Sequence, residues 1–156
     1  MKYRIMSVLI VLLLTLLSGC SSTKEYYQTF KGNSTHWSAQ FVQDAAVTYK
    51  DHPEFKDQYE IDYDEEEVWT LNYQGDEPDL GAKVEITFPR GSSTQRASEG
   101  EVIPADRIFT HSSGTGGTTS ISKDMEFPAV DDQDTIFEVK VKWNGREELI
   151  EVKAGE

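Results

Sequence analysis

Hydrophobic and polar positions alternate along most of the chain after residue 35, which is the period of half-buried β-strands. No stretch after residue 20 keeps the 3.6-residue period of an amphipathic helix; Asp44–Lys50 alone is compatible with a helical turn or an irregular strand. The pattern predicts an all-β domain over residues 36–156. Its alternating apolar runs begin at Trp37, Tyr59, Trp69, Val84 and Phe137, with weaker strand signals at Ile108–Thr110 and Thr118–Ser122.

The end of the chain carries the clearest local prediction, a β-hairpin. Apolar and charged side chains alternate over residues 137–143, and Asn144-Gly145, the strongest short hairpin signal, follows them. A two-residue turn there sets Lys142 opposite Glu147, a favourable cross-strand pair, and Val141 opposite Glu148, a poor fit. The same register pairs Trp143 with Arg146, Val139 with Ile150 and Phe137 with Val152.

About seven to eight short strands separated by Gly, Pro and Asp turns predict an antiparallel sandwich. The single cysteine, Cys20, excludes a disulfide within the chain and a thiolate zinc site, so burial alone must hold the core. Trp37, Trp69 and Trp143 stand in alternating positions among aliphatic residues, which favours core packing over an exposed sugar-stacking platform.

The first twenty residues predict a signal that targets the protein to the membrane. Lys2 and Arg4 precede Ile5–Leu17, an apolar run of roughly 13 residues, which is shorter than a membrane span and has the size of a signal-peptide core. The run ends in Leu17-Ser18-Gly19-Cys20, which resembles the lipobox of bacterial lipoproteins at all four positions. The resemblance implies cleavage between Gly19 and Cys20 and a diacylglyceryl lipid on Cys20. A plain secretory signal and an uncleaved anchor are the alternatives.

Residues 20–35 are polar, and they predict a lipidated N-terminus followed by a mostly flexible tether, although Tyr26, Tyr27 and Phe30 could dock on the domain. The early strand at Trp37 and the final hairpin are similar to those of small immunoglobulin-like lipoproteins of Gram-positive bacteria. That resemblance implies an immunoglobulin-like sandwich and no particular activity. The cysteine pair of antibody domains is absent.

The charge balance excludes whole classes of partner. Lys and Arg number 15 against 28 Asp and Glu, giving a formal net charge of −13. Such a surface repels nucleic acid and has no basic patch for anionic lipid. It favours cations or a cationic partner.

Two acidic runs could attract calcium or a basic protein. Asp51–Glu67 holds nine carboxylates, but Asp64–Glu67 lacks the spacing of a calcium loop, so a solvated acidic loop is the prediction. Asp131, Asp132 and Asp134 have better ligand spacing, yet an acidic turn is again expected.

The remaining motifs give weak signals. His36, His52 and His111 have no metal-ligand spacing, and Ser112–Thr119 lacks the Gly-Lys-Ser/Thr ending of a phosphate loop. Ser112–Thr119 is expected to be a flexible loop; together with Arg90–Gly100 it forms a region of low charge where a binding edge could lie. Arg90, Arg96 and Arg107 could pair with the acidic runs.

These observations predict a non-enzymatic, lipid-anchored module on the extracytoplasmic face of the cell membrane, without a cofactor, that binds an envelope protein or cationic partner. One alternative is a Ca²⁺- or ligand-binding module. Another is an envelope hydrolase of unrecognised type, which would need a serine or a carboxylate pair beside a histidine of shifted pKa.

Overall fold

The computed structural model describes residues 21–154, so the predicted signal segment and Cys20 lie outside it. Within this range the chain contains no helix, and eight strands form one antiparallel sheet. The strands are β1 (Ser21–Asn33), β2 (Trp37–Asp51), β3 (Gln58–Tyr73), β4 (Lys83–Phe88), β5 (Gly91–Arg96), β6 (Phe109–Ser122), β7 (Ile136–Trp143) and β8 (Arg146–Ala154).

The sheet runs in the order β5-β4-β7-β8-β1-β2-β3-β6 and folds over on itself. Aromatic rings of β2 and β3 therefore pack across those of β4 and β7: the ring centroids of Phe41 and Phe137 lie 5.0 Å apart, and those of Trp69 and Phe88 lie 5.4 Å apart. The predicted all-β antiparallel sandwich is confirmed, with eight strands. Its two layers are continuous, because β8 and β1 join them through hydrogen-bonded pairs at Phe30 and Lys31.

The tryptophans lie in the core, as their alternating positions predict. Trp37, Trp69 and Trp143 are all at most 3% exposed, and the rings of Trp37 and Trp143 meet edge to face with centroids 5.5 Å apart. Such geometry adds to the free energy gained by burying large apolar surfaces. The aromatic side chains are therefore the packing material between the two layers.

The C-terminal hairpin forms in the predicted register. Lys142 lies opposite Glu147, and Val141 lies opposite Glu148. Asn144 and Gly145 have φ values of 44° and 72°, the left-handed conformations that a two-residue type I′ turn requires.

The segment predicted as a tether is instead strand β1 over Ser21–Asn33, paired with β2 along its whole length. The alternative of docking is confirmed for Phe30, whose side chain is completely buried. Polar residues dominate β1 because much of its surface is exposed. The strand therefore lacks the alternation of apolar and polar residues that would predict it from the sequence. Gly32 permits the close approach of β8, since a Cβ there would lie 2.1 Å from the carbonyl oxygen of Glu151.

A second, smaller core lies beyond the end of β8, where β1, β2, β3 and β6 continue. Its buried centre comprises Val47, Tyr49 and Ile61, and Ala129 of the β6–β7 segment covers it. Asp44–Lys50, whose sequence is compatible with a helical turn or an irregular strand, belongs entirely to β2. The strand predicted from Tyr59 is confirmed as part of β3, whereas the acidic loop predicted over Asp51–Glu67 is wrong from Gln58 onward.

Candidate interaction edge along strand β6

Strand β6 is an outer strand of the sheet and pairs with β3 alone among the described residues. It includes Ser112–Thr119, so the prediction of a flexible loop there is wrong. The long β3 strand provides a partner for each residue from Phe109, opposite Leu71, to Ser122, opposite Gln58. The strand contains no Asp, Glu, Lys, Arg or Pro. Natural edge strands usually carry such residues, because an uncovered edge can pair with another chain.

Neighbouring parts of the fold cover only the two ends of β6. Near its last residue, Ile121 packs against the second, smaller core. The His111 ring stacks on Phe88 of β4 with a centroid distance of 4.9 Å. From Gly114 to Ser120 every residue is exposed. This seven-residue portion is called the free edge below.

An acidic stripe lies beside the free edge on the outward face of β3. Alternation along the strand turns four carboxylates to this face, and β6 places only small residues opposite them. The pairs are Glu60 with Ser120, Asp62 with Thr118, Asp64 with Gly116, and Glu66 with Gly114. These four acidic residues are called the acidic stripe below.

The carboxylates of the acidic stripe differ in their partners. Asp62 forms an ion pair with Lys50 and accepts a hydrogen bond of 2.8 Å from Thr118 Oγ1. These hydrogen bonds, the one from Lys50 first, lower the pKa of Asp62. Asp64 and Glu66 make no ion pair within residues 21–154, so their charges are available to an added partner.

The glycine at position 116 lets the carboxylate of Asp64 lie close over β6. A Cβ at Gly116 would lie 3.2 Å from Oδ1 of Asp64 and 3.0 Å from the carbonyl oxygen of Tyr63. A strand added outside β6 would lie about two strand spacings, or roughly 10 Å, from β3. A Lys or Arg side chain on that strand can extend across glycine toward Asp64 or Glu66.

Acidic residues on the inward face of β3 belong to a polar cluster near the start of the free edge. Glu67 is 7% exposed, forms an ion pair with Arg90 and accepts a hydrogen bond of 3.1 Å from Ser113 Oγ. Asp131 binds the other Arg90 nitrogen at 2.9 Å and accepts a 2.7 Å hydrogen bond from Gln43 Nε2. The expected pairing of Arg90 with the acidic runs is thus confirmed.

The charged groups in this polar cluster change one another's pKa values. Burial, followed by the negative charge of Glu67, raises the pKa of Glu65. Burial alone would lower the pKa of Arg90, but the charges of Glu67 and Asp131 outweigh it and raise that pKa. A cavity of about 200 Å³, lined by Glu65, Arg90 and Ser113 among others, opens beside the cluster.

The acidic runs do not assemble the calcium sites considered from the sequence. Asp64–Glu67 cannot converge on one ion, because successive side chains of a strand point to opposite faces. Asp131 is bound by Arg90 and Gln43. Over residues 21–154, no group of three or more His, Cys, Asp or Glu side chains is arranged to hold a metal ion; Asp132 and Asp134 form no such group with Asp131.

No sequence pattern predicts a second polar contact, which joins His36 to Glu148. Nδ1 of His36 lies 2.5 Å from Oε1 of Glu148, and Ser34 Oγ donates to Oε2 of the same carboxylate at 2.6 Å. The carboxylate holds both groups, so Ser34 donates to Glu148 rather than to the imidazole. This arrangement orients the turn between β1 and β2 and does not place a serine nucleophile on a base. Only the folded chain brings these residues together, since 112 positions separate His36 from Glu148.

His52 and His111 lie apart from that contact. His52 Nδ1 accepts hydrogen bonds from the backbone N–H groups of Glu54 and Phe55, and His111 stacks on Phe88. All three histidines thus have structural partners.

Compared with protein-family models, curated proteins and solved structures, the chain shows no match. The likeness to immunoglobulin-like lipoproteins therefore stays a prediction. Among residues 21–154 there is also no helix with the length and apolar character needed to cross a membrane.

Proposed function

We propose that the chain is a non-catalytic binding module, held by a lipid on Cys20 at the outer face of the cytoplasmic membrane, that captures an extended basic segment of an envelope protein. The observation that carries the binding role is the free edge of β6, which is long, exposed and without charge. The anchoring role rests on Leu17-Ser18-Gly19-Cys20 and the apolar run before it.

Strand addition is the mode of binding that the edge supports. The outer side of β6 has backbone N–H and C=O groups without a strand partner among the described residues. An extended peptide that pairs with them gains main-chain hydrogen bonds, while its alternate side chains provide specificity. The small side chains of Gly114–Ser120 leave its approach unobstructed.

The acidic stripe supports a basic partner. Asp64 and Glu66 lie across Gly116 and Gly114 from the position of an added strand, so Lys or Arg at every second position would face them. The net charge of −13 attracts such a segment over longer distances. Binding should therefore weaken as salt screens these charges.

Fluorescence anisotropy with the lipidated protein in nanodiscs tests the binding role. The probe is a short labelled peptide that alternates lysine and valine; the comparison peptides alternate glutamate and valine, or carry N-methyl groups on alternate backbone nitrogens. We expect the lysine peptide to bind and both comparison peptides to lose binding. Equal binding of the N-methylated peptide, or no binding of the lysine peptide, would contradict strand addition.

Charge reversal tests the acidic stripe. The double variant Asp64→Lys, Glu66→Lys should weaken peptide binding about tenfold or more, corresponding to about 1.4 kcal/mol. The double variant Glu138→Lys, Glu151→Lys is the matched control, because it makes the same change of charge at two exposed, outward residues of β7 and β8, in the other layer of the sandwich. Equal weakening by the control would mean that net charge alone attracts the peptide.

Mass spectrometry of the membrane fraction tests the anchor. We expect a diacylglyceryl group on Cys20, and we expect Cys20→Ser to release the protein from the membrane. A Cys20→Ser chain that stays equally attached would overturn the anchoring role.

A further inference from the structure

The end of the sheet at which β1 begins carries two exposed apolar side chains. We propose that this end rests in the interfacial layer of the membrane with Phe55 and Met125 inserted into it. This inference rests on the proposed lipid anchor. The end comprises the β2–β3 turn (residues 52–57) and the turn after β6 (residues 123–125), and it is called the tip below.

The register of β1 places Ser21, the residue after the predicted lipidation site, at the tip. Ser21, the first residue of β1, lies opposite Lys50, one residue before the end of β2. Cys20 directly precedes Ser21 in the sequence. Because β1 is paired from Ser21 onward, no flexible spacer separates the sheet from a lipid on Cys20.

The β2–β3 turn holds Phe55 in a defined position. The backbone N–H groups of Glu54 and Phe55 donate to Nδ1 of His52 at 3.1 and 3.2 Å, and the Phe55 carbonyl accepts from Gln58 N at 3.2 Å. The Phe55 ring packs against the His52 ring at 4.9 Å and is nevertheless 49% exposed.

The turn after β6 brings Met125 to the same end. Lys123 N donates to the carbonyl of Asp57 at 2.9 Å, which ties this turn directly to the β2–β3 turn. Met125 N donates to the carbonyl of Ser122 at 3.1 Å, and the Met125 side chain is 63% exposed. Two exposed apolar side chains thus lie on adjoining turns at the same end of the sheet as Ser21.

These features fit a lipid surface rather than open water. A lipid on Cys20 would hold the tip within one residue of the bilayer, where an aromatic ring and a flexible thioether can leave water. The tip has three acids, Glu54, Asp57 and Asp124, against two lysines, Lys56 and Lys123, so it has no basic excess. The contact is therefore apolar in origin, and we expect it with zwitterionic lipids and no strengthening of it by anionic ones.

Tryptophan quenching by brominated phosphatidylcholine tests the proposal on the lipidated full protein in vesicles. Phe55→Trp and Met125→Trp report on the tip. Ile108→Trp is the control, because Ile108 is 60% exposed and immediately precedes Phe109, at the opposite end of β6. Each variant is compared with the unsubstituted protein, whose three tryptophans are buried.

We expect bromine to remove about half of the added emission at positions 55 and 125 and almost none at 108, since interfacial side chains reach roughly 5–10 Å into the headgroup boundary. Equal quenching of all three variants, in protein whose Cys20 lipid is verified by mass spectrometry, would overturn the membrane contact and leave the anchor standing. Absence of the lipid from Cys20 would overturn the anchor itself, and the membrane contact with it. Quenching at the tip only in anionic vesicles would also contradict an apolar contact.

Discussion

Nδ1 of His36 and Oε1 of Glu148 lie 2.5 Å apart, joining the turn after β1 to strand β8. Glu148 faces Val141 in the hairpin register, which looks unfavourable in the sequence alone. The hydrogen bonds that Ser34 and His36 donate to the Glu148 carboxylate offset the cost of placing it opposite an apolar residue. A carboxylate in a position that otherwise suits an apolar residue thus fixes one end of the sandwich.

Glu148→Ala should destabilise the fold by about 1–2 kcal/mol at pH 7, because it leaves half-buried donors without an acceptor. Burial would raise the pKa of Glu148, but hydrogen bonds from Ser34 and His36 outweigh it and lower that pKa below 4.5. A lowered pKa stabilises the folded state above the unfolded value, and this stabilisation is lost as the pH falls through the folded value. Urea unfolding at pH 7 and pH 3 checks this; an equal loss of stability at both pH values would contradict it.

Glu65→Gln should stabilise the fold at pH 7 by less than about 1 kcal/mol, allowing for solvent screening. The pKa of Glu65 is raised above 4.5, first by burial and then by Glu67, so the folded state binds its proton more tightly. The resulting stabilisation is present below pH 4.5 and is lost as the pH rises through the folded pKa. The melting temperatures of wild type and variant should therefore differ at pH 7 and converge at pH 4. A variant that melts lower than wild type at pH 7 would refute the argument.

Arg90→Met should cost about 1–3 kcal/mol, because Glu67 is buried and would keep a charge without its partner. Adding Glu67→Gln should recover part of this loss, since the uncompensated charge is then removed. A double-mutant cycle by chemical denaturation measures the coupling between the two residues. Strict additivity of the two losses would show that the pair contributes no interaction energy.

Sequence patterns reveal the strands whose two faces differ strongly. Alternation predicts β7 and β8 down to individual pairs, because most apolar side chains there face the core; Ile136 and Leu149 are the exposed exceptions. Alternation fails for β1 and β6, where most side chains are exposed and a small polar residue suits either face. In such strands the pairing with a long neighbour determines the structure, and no local pattern records it.

The candidate site follows the same rule. The acidic residues of β3 are visible in the sequence. Which of them face outward and which face inward is decided by their alternation along β3, in a region where the sequence predicts an acidic loop. The contact of Arg90 with Asp131 spans 41 positions, and no spacing motif announces it. The signals for the edge are weak: short strand patterns at Ile108–Thr110 and Thr118–Ser122, and low charge over Ser112–Thr119.

Gly145→Ala should destabilise the hairpin by about 1 kcal/mol, because φ at Gly145 is 72° and an L side chain pays a steric cost there. No heavy atom lies within 4 Å of a Cβ built at this position, so the effect is conformational rather than a clash. Asn144→Asp is the control, since Asp is also tolerated in that turn. Thermal melts of both variants check the prediction; an unchanged Gly145→Ala melt would contradict the turn assignment.

Phe30→Ala should destabilise the fold by about 3–5 kcal/mol, the usual cost of removing a buried phenylalanine. Phe30 is completely buried, and its ring contacts those of Phe41 and Phe137 at 5.7 and 5.0 Å, so β1 contributes to the core of both layers. Tyr27→Ala is the matched control on the same strand, because Tyr27 is 68% exposed and its loss should change stability by less than about 0.5 kcal/mol. Chemical denaturation of both variants separates a structural strand from a dispensable spacer. If Phe30→Ala were as stable as Tyr27→Ala, residues 21–33 would be a tether, and the argument that places a lipid on Cys20 directly against the tip would fail with them.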